Sequence, residues 1–388
     1  MKFWKKIIIV FSILAILGAV MVYISSKPIS KEKAESKIVE LVQDSINEKE
    51  FVNAVMIYVD APQKGISIKT AAGTANGSVI STETPFHVAS VGKLFTATLI
   101  GYLIDEGEIT LNDPIAAYLD EEILTNLFIY EGVDYKDQVT IQQLLSHTSG
   151  VADYFAKEDN GLQEATYQSP DTFYTPISLV QYTQQNQTAY FAPGNGYHYT
   201  DTGYILLGLI VESVSGKSFD EMLHEVIFNP LQMNDTYLMF YADPVNGKQP
   251  IAEIWIDGYE ISQFQSMSID WAGGGVISTL DDQAAYIRAL YQGKIISQET
   301  LQSMNQFDYE FMSGIAYGNG FMQMQFEKFF PTLGFLPRMT GHMGILGTQL
   351  FYDRESDMVY VANFGSTDAA ATSVQAMIKV LSIIYRIR

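Results

Sequence analysis

One stretch limits what this chain can fold into: Thr84-Pro85-Phe86-His87-Val88-Ala89-Ser90-Val91-Gly92-Lys93-Leu94-Phe95. After the extended Thr84–Val88 segment, Val91, Leu94, Phe95, Leu99, Ile100, Leu103 and Ile104 recur at helical spacing and leave almost no polar side. A helix apolar all round belongs in the middle of a domain, so the rest of the chain must pack about it. Ser90 stands at its start, where free backbone N–H groups and the helix dipole favour developing negative charge. Lys93 follows one turn later on the same face. Partial burial pushes a lysine toward the neutral amine, which can take a serine proton. The plainer reading makes Ser90 an N-cap and lets Lys93 snorkel to the surface. A second Ser-x-x-Lys spacing, Ser30 to Lys33, has no apolar core behind it and reads as chance.

Composition excludes several function classes. Of 388 residues, 47% are hydrophobic and 13% aromatic, which argues for a real core. The net charge of −21 speaks against a nucleic-acid partner, which needs a basic face. There is no cysteine, so neither disulfides nor thiolate chemistry arise. The five histidines are scattered without metal-ligand spacing, and no phosphate-binding glycine loop is present, so no metal or cofactor is expected.

Lys2, Lys5 and Lys6 precede an uncharged run from Ile7 to Ile24. It is long for a signal-peptide core and just enough to span a membrane. The expected organisation is a signal-anchor over 1–27, a polar tether over 28–35 and one large domain over 36–388. With the lysines inside, that domain would lie outside the cell, single-pass, or secreted if the segment is cleaved. Residues 54–59 and 66–70 read as strands joined by a Pro/Gly turn. Thr140 is placed to cap a short helix, and His147 reads as a loop histidine bonding backbone groups. Residues 152–190 are polar and aromatic with little periodicity, as a lid or binding surface often is.

Two further clusters flank buried elements. Tyr197-His198-Tyr199-Thr200-Asp201 precedes the apolar run Ile205–Val214. Gly341-His342-Met343-Gly344-Ile345-Leu346-Gly347 leads into strands near 348–352 and 358–363, and its glycines would let a substrate backbone lie along a sheet edge. His342 would add a donor or partial positive charge beside the serine.

Taken in order, Ser90-Val91-Gly92-Lys93, Tyr199-Thr200-Asp201 and His342-Met343-Gly344 resemble the three motifs of the serine β-lactamase and penicillin-binding protein superfamily, in particular its branch of class C β-lactamases, D-Ala-D-Ala carboxypeptidases and related esterases. The linking segments Leu144–Gly150, Pro193-Gly194 and Gly274–Thr279 are similar too. The resemblance implies a mixed α/β (α+β) fold: an antiparallel sheet flanked by helices, with a mostly helical lobe. It implies Ser90 as acylated nucleophile, Lys93 and Tyr199 as the proton-transfer network with the base unassigned between them, and the Ser90 and Ile345 backbone N–H groups as oxyanion hole. Asp201, His342, Met343 and Gly344 become substrate-binding residues.

Two positions depart from the pattern. Asp201 stands where the family has Asn, and a carboxylate cannot donate an amide N–H. Met343 stands where it has Thr, removing a hydroxyl aimed at a substrate carboxylate. Both changes weaken recognition of a penicillin or a free D-Ala terminus and leave the nucleophile and base intact. The reading is therefore a membrane-anchored extracellular hydrolase of small amides or esters, with a peptide-like D-amino-acid cell-wall component as substrate. The alternatives are a carboxylesterase or weak β-lactamase of the same fold, or a non-catalytic surface binding protein.

Overall fold

The computed structural model describes residues 27–47 and 50–387. Among them the main sheet has nine strands, in the order Tyr309–Met312, Ile315–Tyr317, Met322–Met324, Met339–Met343, Gln349–Asp353, Met358–Asn363, Ala54–Ala61, Ile66–Ala75 and Ser78–Val79. Every neighbouring pair is antiparallel. The central pairing joins the two ends of the sequence: Met56 lies opposite Asn363 and Val59 opposite Tyr360. This is the mixed α/β arrangement that the motifs imply.

Strand Ala54–Ala61 shows why the sheet carries a layer on each face. Successive side chains point to opposite faces. Val55, Ile57 and Val59 bury against Ile38 and Val42 of helix Lys31–Asn47 and Met377 and Leu381 of helix Ala370–Ile384. Met56 turns the other way, toward Leu94, Phe95 and Leu99 of helix Gly92–Asp105, the helix that the apolar run predicts. That helix packs with helices Thr202–Ser215 and Leu280–Tyr291. Phe95 stacks on Tyr286 at 4.2 Å between ring centroids, and Thr98 shares a hydrogen bond of 2.7 Å with the Tyr286 hydroxyl. Each such large side chain contributes about 1.5–3 kcal/mol by leaving water, and the result fixes where Ser90 stands.

The local signals mostly hold. Thr140 caps helix Ile141–Leu145 with a reciprocal bond to Gln143. Three segments differ from expectation. Residues 31–35 are not tether but the first turn of helix Lys31–Asn47, where the Ser30 hydroxyl accepts the Lys33 N–H. Helix Pro176–Asn186 crosses the stretch read as loop; proline at its first position and Thr175 as cap start it where apolar periodicity is weak. Strand Met339–Met343 is an interior strand, paired on both sides, so Gly341 is not at a sheet edge. A Cβ on Gly341 would come within 1.9 Å of Leu350 O, so the glycine serves strand packing. Pairing with Met322–Met324 ends at Gly341, and the free edge begins only beyond it.

The chain ends of the described region are clasped. Ile29 bridges Ile387, the Ile29 N–H donates to Arg386 O at 3.1 Å, and the Arg386 Nε–H donates to Lys27 O at 3.0 Å. The anchor expected over 1–27 lies outside the described residues apart from Lys27. Among the described residues no helix is long and apolar enough to cross a membrane.

Candidate active site

Ser90 is held by the turn that links the extended segment to the buried helix. Phe86-His87 pairs with Ile277-Ser278, and the Val88 N–H donates to Val276 O at 2.9 Å. Ala89 then takes φ +48°, a conformation unusual for a residue with a Cβ, and its N–H donates to His87 Nδ1 at 3.1 Å. The Gly274 backbone presses on this turn: a Cβ there would lie 2.8 Å from Ala89 O. The glycine run of the sequence thus permits two backbone segments to touch beneath the serine.

Lys93 is completely buried. Its Nζ lies 3.4 Å from Ser90 Oγ, donates to Gly273 O at 2.8 Å and contacts Asp201 Oδ1 as an ion pair. It also sits 5.0 Å from the Tyr199 ring centre. The sequence reading weighs burial alone for Lys93 and leaves out the Asp201 carboxylate that contacts its Nζ. The structure also re-reads Asp201, whose oxygen turns to the lysine as well as to the cleft.

The Tyr199 side chain faces Ser90 across the cleft that both line. Burial, followed by the nearby Asp201, pushes this phenol well above its ordinary value, so the phenolate is disfavoured. Beneath it lies His147, buried at a ring distance of 4.3 Å, whose Nδ1 accepts the Thr200 N–H at 3.2 Å. His147 bonds the backbone, as its loop position predicts, and so shapes the Tyr199 turn.

Gly344 brings the third segment against the first. A Cβ on it would lie 2.7 Å from Ala89 Cβ and 3.1 Å from Ser90 N. Among the described residues neither the Ser90 nor the Ile345 N–H donates to a protein acceptor. Met343, Gly344 and Ile345 line the same cleft as Ser90, Tyr199 and Asp201. His342 does not line it. It is fully buried, its Nδ1–H donates to Met343 O at 2.8 Å, and its Nε2 accepts from the Tyr317 hydroxyl at 3.1 Å. Burial, then the Lys93 charge, pulls its value down to about 3, so it carries no positive charge at neutral pH, contrary to the sequence reading.

Two carboxylates escaped the sequence reading. Asp153 accepts the N–H groups of Phe155, Ala156 and Asp201 at 3.2, 3.2 and 3.0 Å, which fixes the Asp201 backbone. Burial first, then Asp201, raises its carboxyl above the usual range. Asp270 ends a short turn before the Gly273-Gly274 pair, and burial, reinforced by Asp201, pushes it up to about 7. The glycine run was the one sequence signal close to it. Phe155 and Phe311 complete the apolar lining of the cleft, Phe155 from the 152–190 stretch expected to select substrate.

A serine hydrogen-bonded to a buried lysine, with a tyrosine facing both, between a buried helix and an antiparallel sheet, is the site of a serine hydrolase. The Beta-lactamase family matches residues 47–375, and the chain belongs to that family. It is 28% identical over 239 residues to penicillin-binding protein 4* of Bacillus subtilis (strain 168), covering 58% of this chain and 49% of that protein. It is 27% identical over 281 residues to a D-aminopeptidase of Brucella anthropi, covering 68% of this chain and 46% of that one. The chain thus spans about half the length of these relatives. Among solved structures, D-amino acid amidase from Ochrobactrum anthropi SV3 superposes with a TM-score of 0.75 at 22% identity, covering 91% of this chain and 99% of that one.

Proposed function

We propose that the protein hydrolyses small amides or esters of D-amino acids through an acyl-enzyme on Ser90. The contact of Lys93 Nζ with Ser90 Oγ, beside the Tyr199 ring, carries this reading. Ser90 Oγ attacks the substrate carbonyl and its proton passes into the Lys93–Tyr199 network. Because the phenolate is disfavoured, Lys93 is the acceptor, once the proton that it shares with Asp201 has moved onto the carboxylate. The network then protonates the leaving amine or alcohol. The Ser90 and Ile345 N–H groups stabilise the oxyanion, typically worth about 10²–10³ in rate per donor. Water attacks the acyl-enzyme and restores Ser90.

Support for D-amino-acid substrates comes from the relatives named D-aminopeptidase and D-amino acid amidase, together with Asp201 and Met343, which suit a carboxylated β-lactam poorly. The Lys2–Lys6 charges ahead of the apolar run support placement of the domain outside the cell membrane, which protease accessibility on whole cells would test.

The decisive experiment is burst kinetics with p-nitrophenyl acetate and intact mass of the trapped enzyme. An acetyl adduct that disappears in Ser90→Ala is expected. Equal turnover in that variant would end the proposal.

A further inference from the structure

Asp270 is a carboxylate without a matching partner. No protein donor bonds it among the described residues. The nearest group is His87 Nε2, at 3.4 Å from Oδ2, which is itself buried and without a hydrogen-bond partner. The His87 Nδ1 accepts the Ala89 N–H, so the hydrogen of the neutral ring sits on Nε2, and burial pulls the ring down to about 4. The imidazole therefore supplies no cation. The Asp270 side chain is 22% exposed, so its charge is open to a partner arriving from the cleft.

The location suggests that partner. Asp270 lines a narrow recess with Ser90, Asp201, Gly273, Gly274 and Ile345, which has room for a water-sized group. This recess opens off the larger cleft that Tyr199, Phe311 and Met343 line, and the two share Ser90, Phe155, Asp201 and Ile345. Trp271, the next residue, holds φ +27°, a costly conformation for a bulky side chain. Lys93 is already engaged with Asp201 and Gly273 O, so the recess keeps a surplus of negative charge.

We propose that Asp270 binds the free α-ammonium group of the acyl half of the substrate, so that the enzyme acts on amides and esters of unblocked amino acids. The inference rests on the acyl-enzyme reading above and names its substrate class. The ammonium fills the small recess, the scissile carbonyl lies at Ser90, and the side chain and leaving group occupy the apolar cleft. An acyl group whose nitrogen is acetylated loses the charge and outgrows the recess. A carboxylate there meets Asp270 and Asp201.

The test compares the p-nitroanilides of D-alanine and N-acetyl-D-alanine with the whole protein and with Asp270→Asn. Charge-assisted hydrogen bonds give about 10- to 100-fold in such comparisons. The expected kcat/KM ratio therefore favours the free amine by at least about 10-fold in the parent and falls toward one in Asp270→Asn. A ratio taken within each enzyme cancels any general loss in the variant. Should the variant not fold, the parent alone still decides: a ratio near one overturns the assignment. So does an unchanged ratio in Asp270→Asn. A Ser90-dependent burst with p-nitrophenyl acetate separates the two proposals, since it persists if only the role of Asp270 is wrong and vanishes if the acyl-enzyme reading is wrong.

Discussion

Lys93 Nζ and Asp201 Oδ1 form an ion pair, with the lysine side chain fully buried and the aspartate 16% exposed. The family has an amide at 201, which can donate to a substrate but cannot hold the lysine in this way. Asp201→Asn should break the pair without changing shape, freeing Lys93 and adding a donor to the cleft. Acylation by a penicillin is expected to rise about tenfold or more, one charge-assisted hydrogen bond's worth, while the melting temperature stays within a few degrees. Mass spectrometry of the penicilloyl adduct against time reads this directly. No gain in adduct would show that the carboxylate is not what excludes the antibiotic.

Tyr199→Phe removes a hydroxyl and keeps the ring that packs on His147. Because the hydroxyl belongs to the proposed proton-transfer network beside Ser90, kcat should fall about 10²–10⁴-fold with little change in stability. Steady-state kinetics beside a thermal melt would check it. A change confined to KM would instead assign Tyr199 to substrate binding.

Gly344→Ala places a methyl 2.7 Å from Ala89 Cβ and 3.1 Å from Ser90 N, so the two segments must separate. The oxyanion donors then lose their spacing, and the acylation rate should drop about 10²–10³-fold. Ser90 itself remains, so slow labelling by p-nitrophenyl acetate should still appear by mass.

For free-amine substrates, kcat/KM should climb as pH rises through about 7, where burial holds the Asp270 carboxyl, because only the carboxylate attracts an ammonium. The groups facing Asp270 are His87, neutral over this range, Lys93 and Asp201, which form their own pair, and the un-ionised Tyr154 and Tyr199 phenols. The climb should reverse near about 8, as the substrate amine loses its proton. An N-acetylated substrate should lack both limbs, and identical profiles would contradict the role of Asp270.

His342 makes a separate acid-stability prediction. Its folded-state value lies near 3, below the ordinary 6.5, so the unfolded chain binds more protons between these limits. The stabilisation is complete above about 6.5 and is lost as pH falls toward 3. His342→Gln should flatten the fall in melting temperature over that window, by up to about 1.4 kcal/mol per pH unit. Parallel curves would rule this out.

Much of the architecture was legible because its signals are local or periodic. The apolar run after Ser90, the two strands joined by a Pro/Gly turn near 54–70 and the Thr140 cap each depend on residues within a few positions of one another. The three short motifs brought Ser90, Lys93, Tyr199 and Gly344 to one site for the same reason. What stayed hidden arises between distant segments. The Lys93–Asp201 pair spans 108 positions, and nothing near Asp201 announces it. Asp153 and Asp270 are ordinary aspartates until folding brings them beside Asp201. His342 looked like a charge because its burial by neighbouring strands has no mark in the Gly341–Gly347 segment itself.

The clasp between Ile29 and Ile387 has a topological consequence. Residues 27 and 387 leave the fold at one place, so the described chain is close to a ring that happens to be open there. A short linker could close that ring, and new ends cut at the exposed Glu131-Gly132 turn would leave the nine-strand order untouched. The catalytic cleft, built from segments near 90, 199 and 344, would then be assembled from the same parts synthesised in a different order.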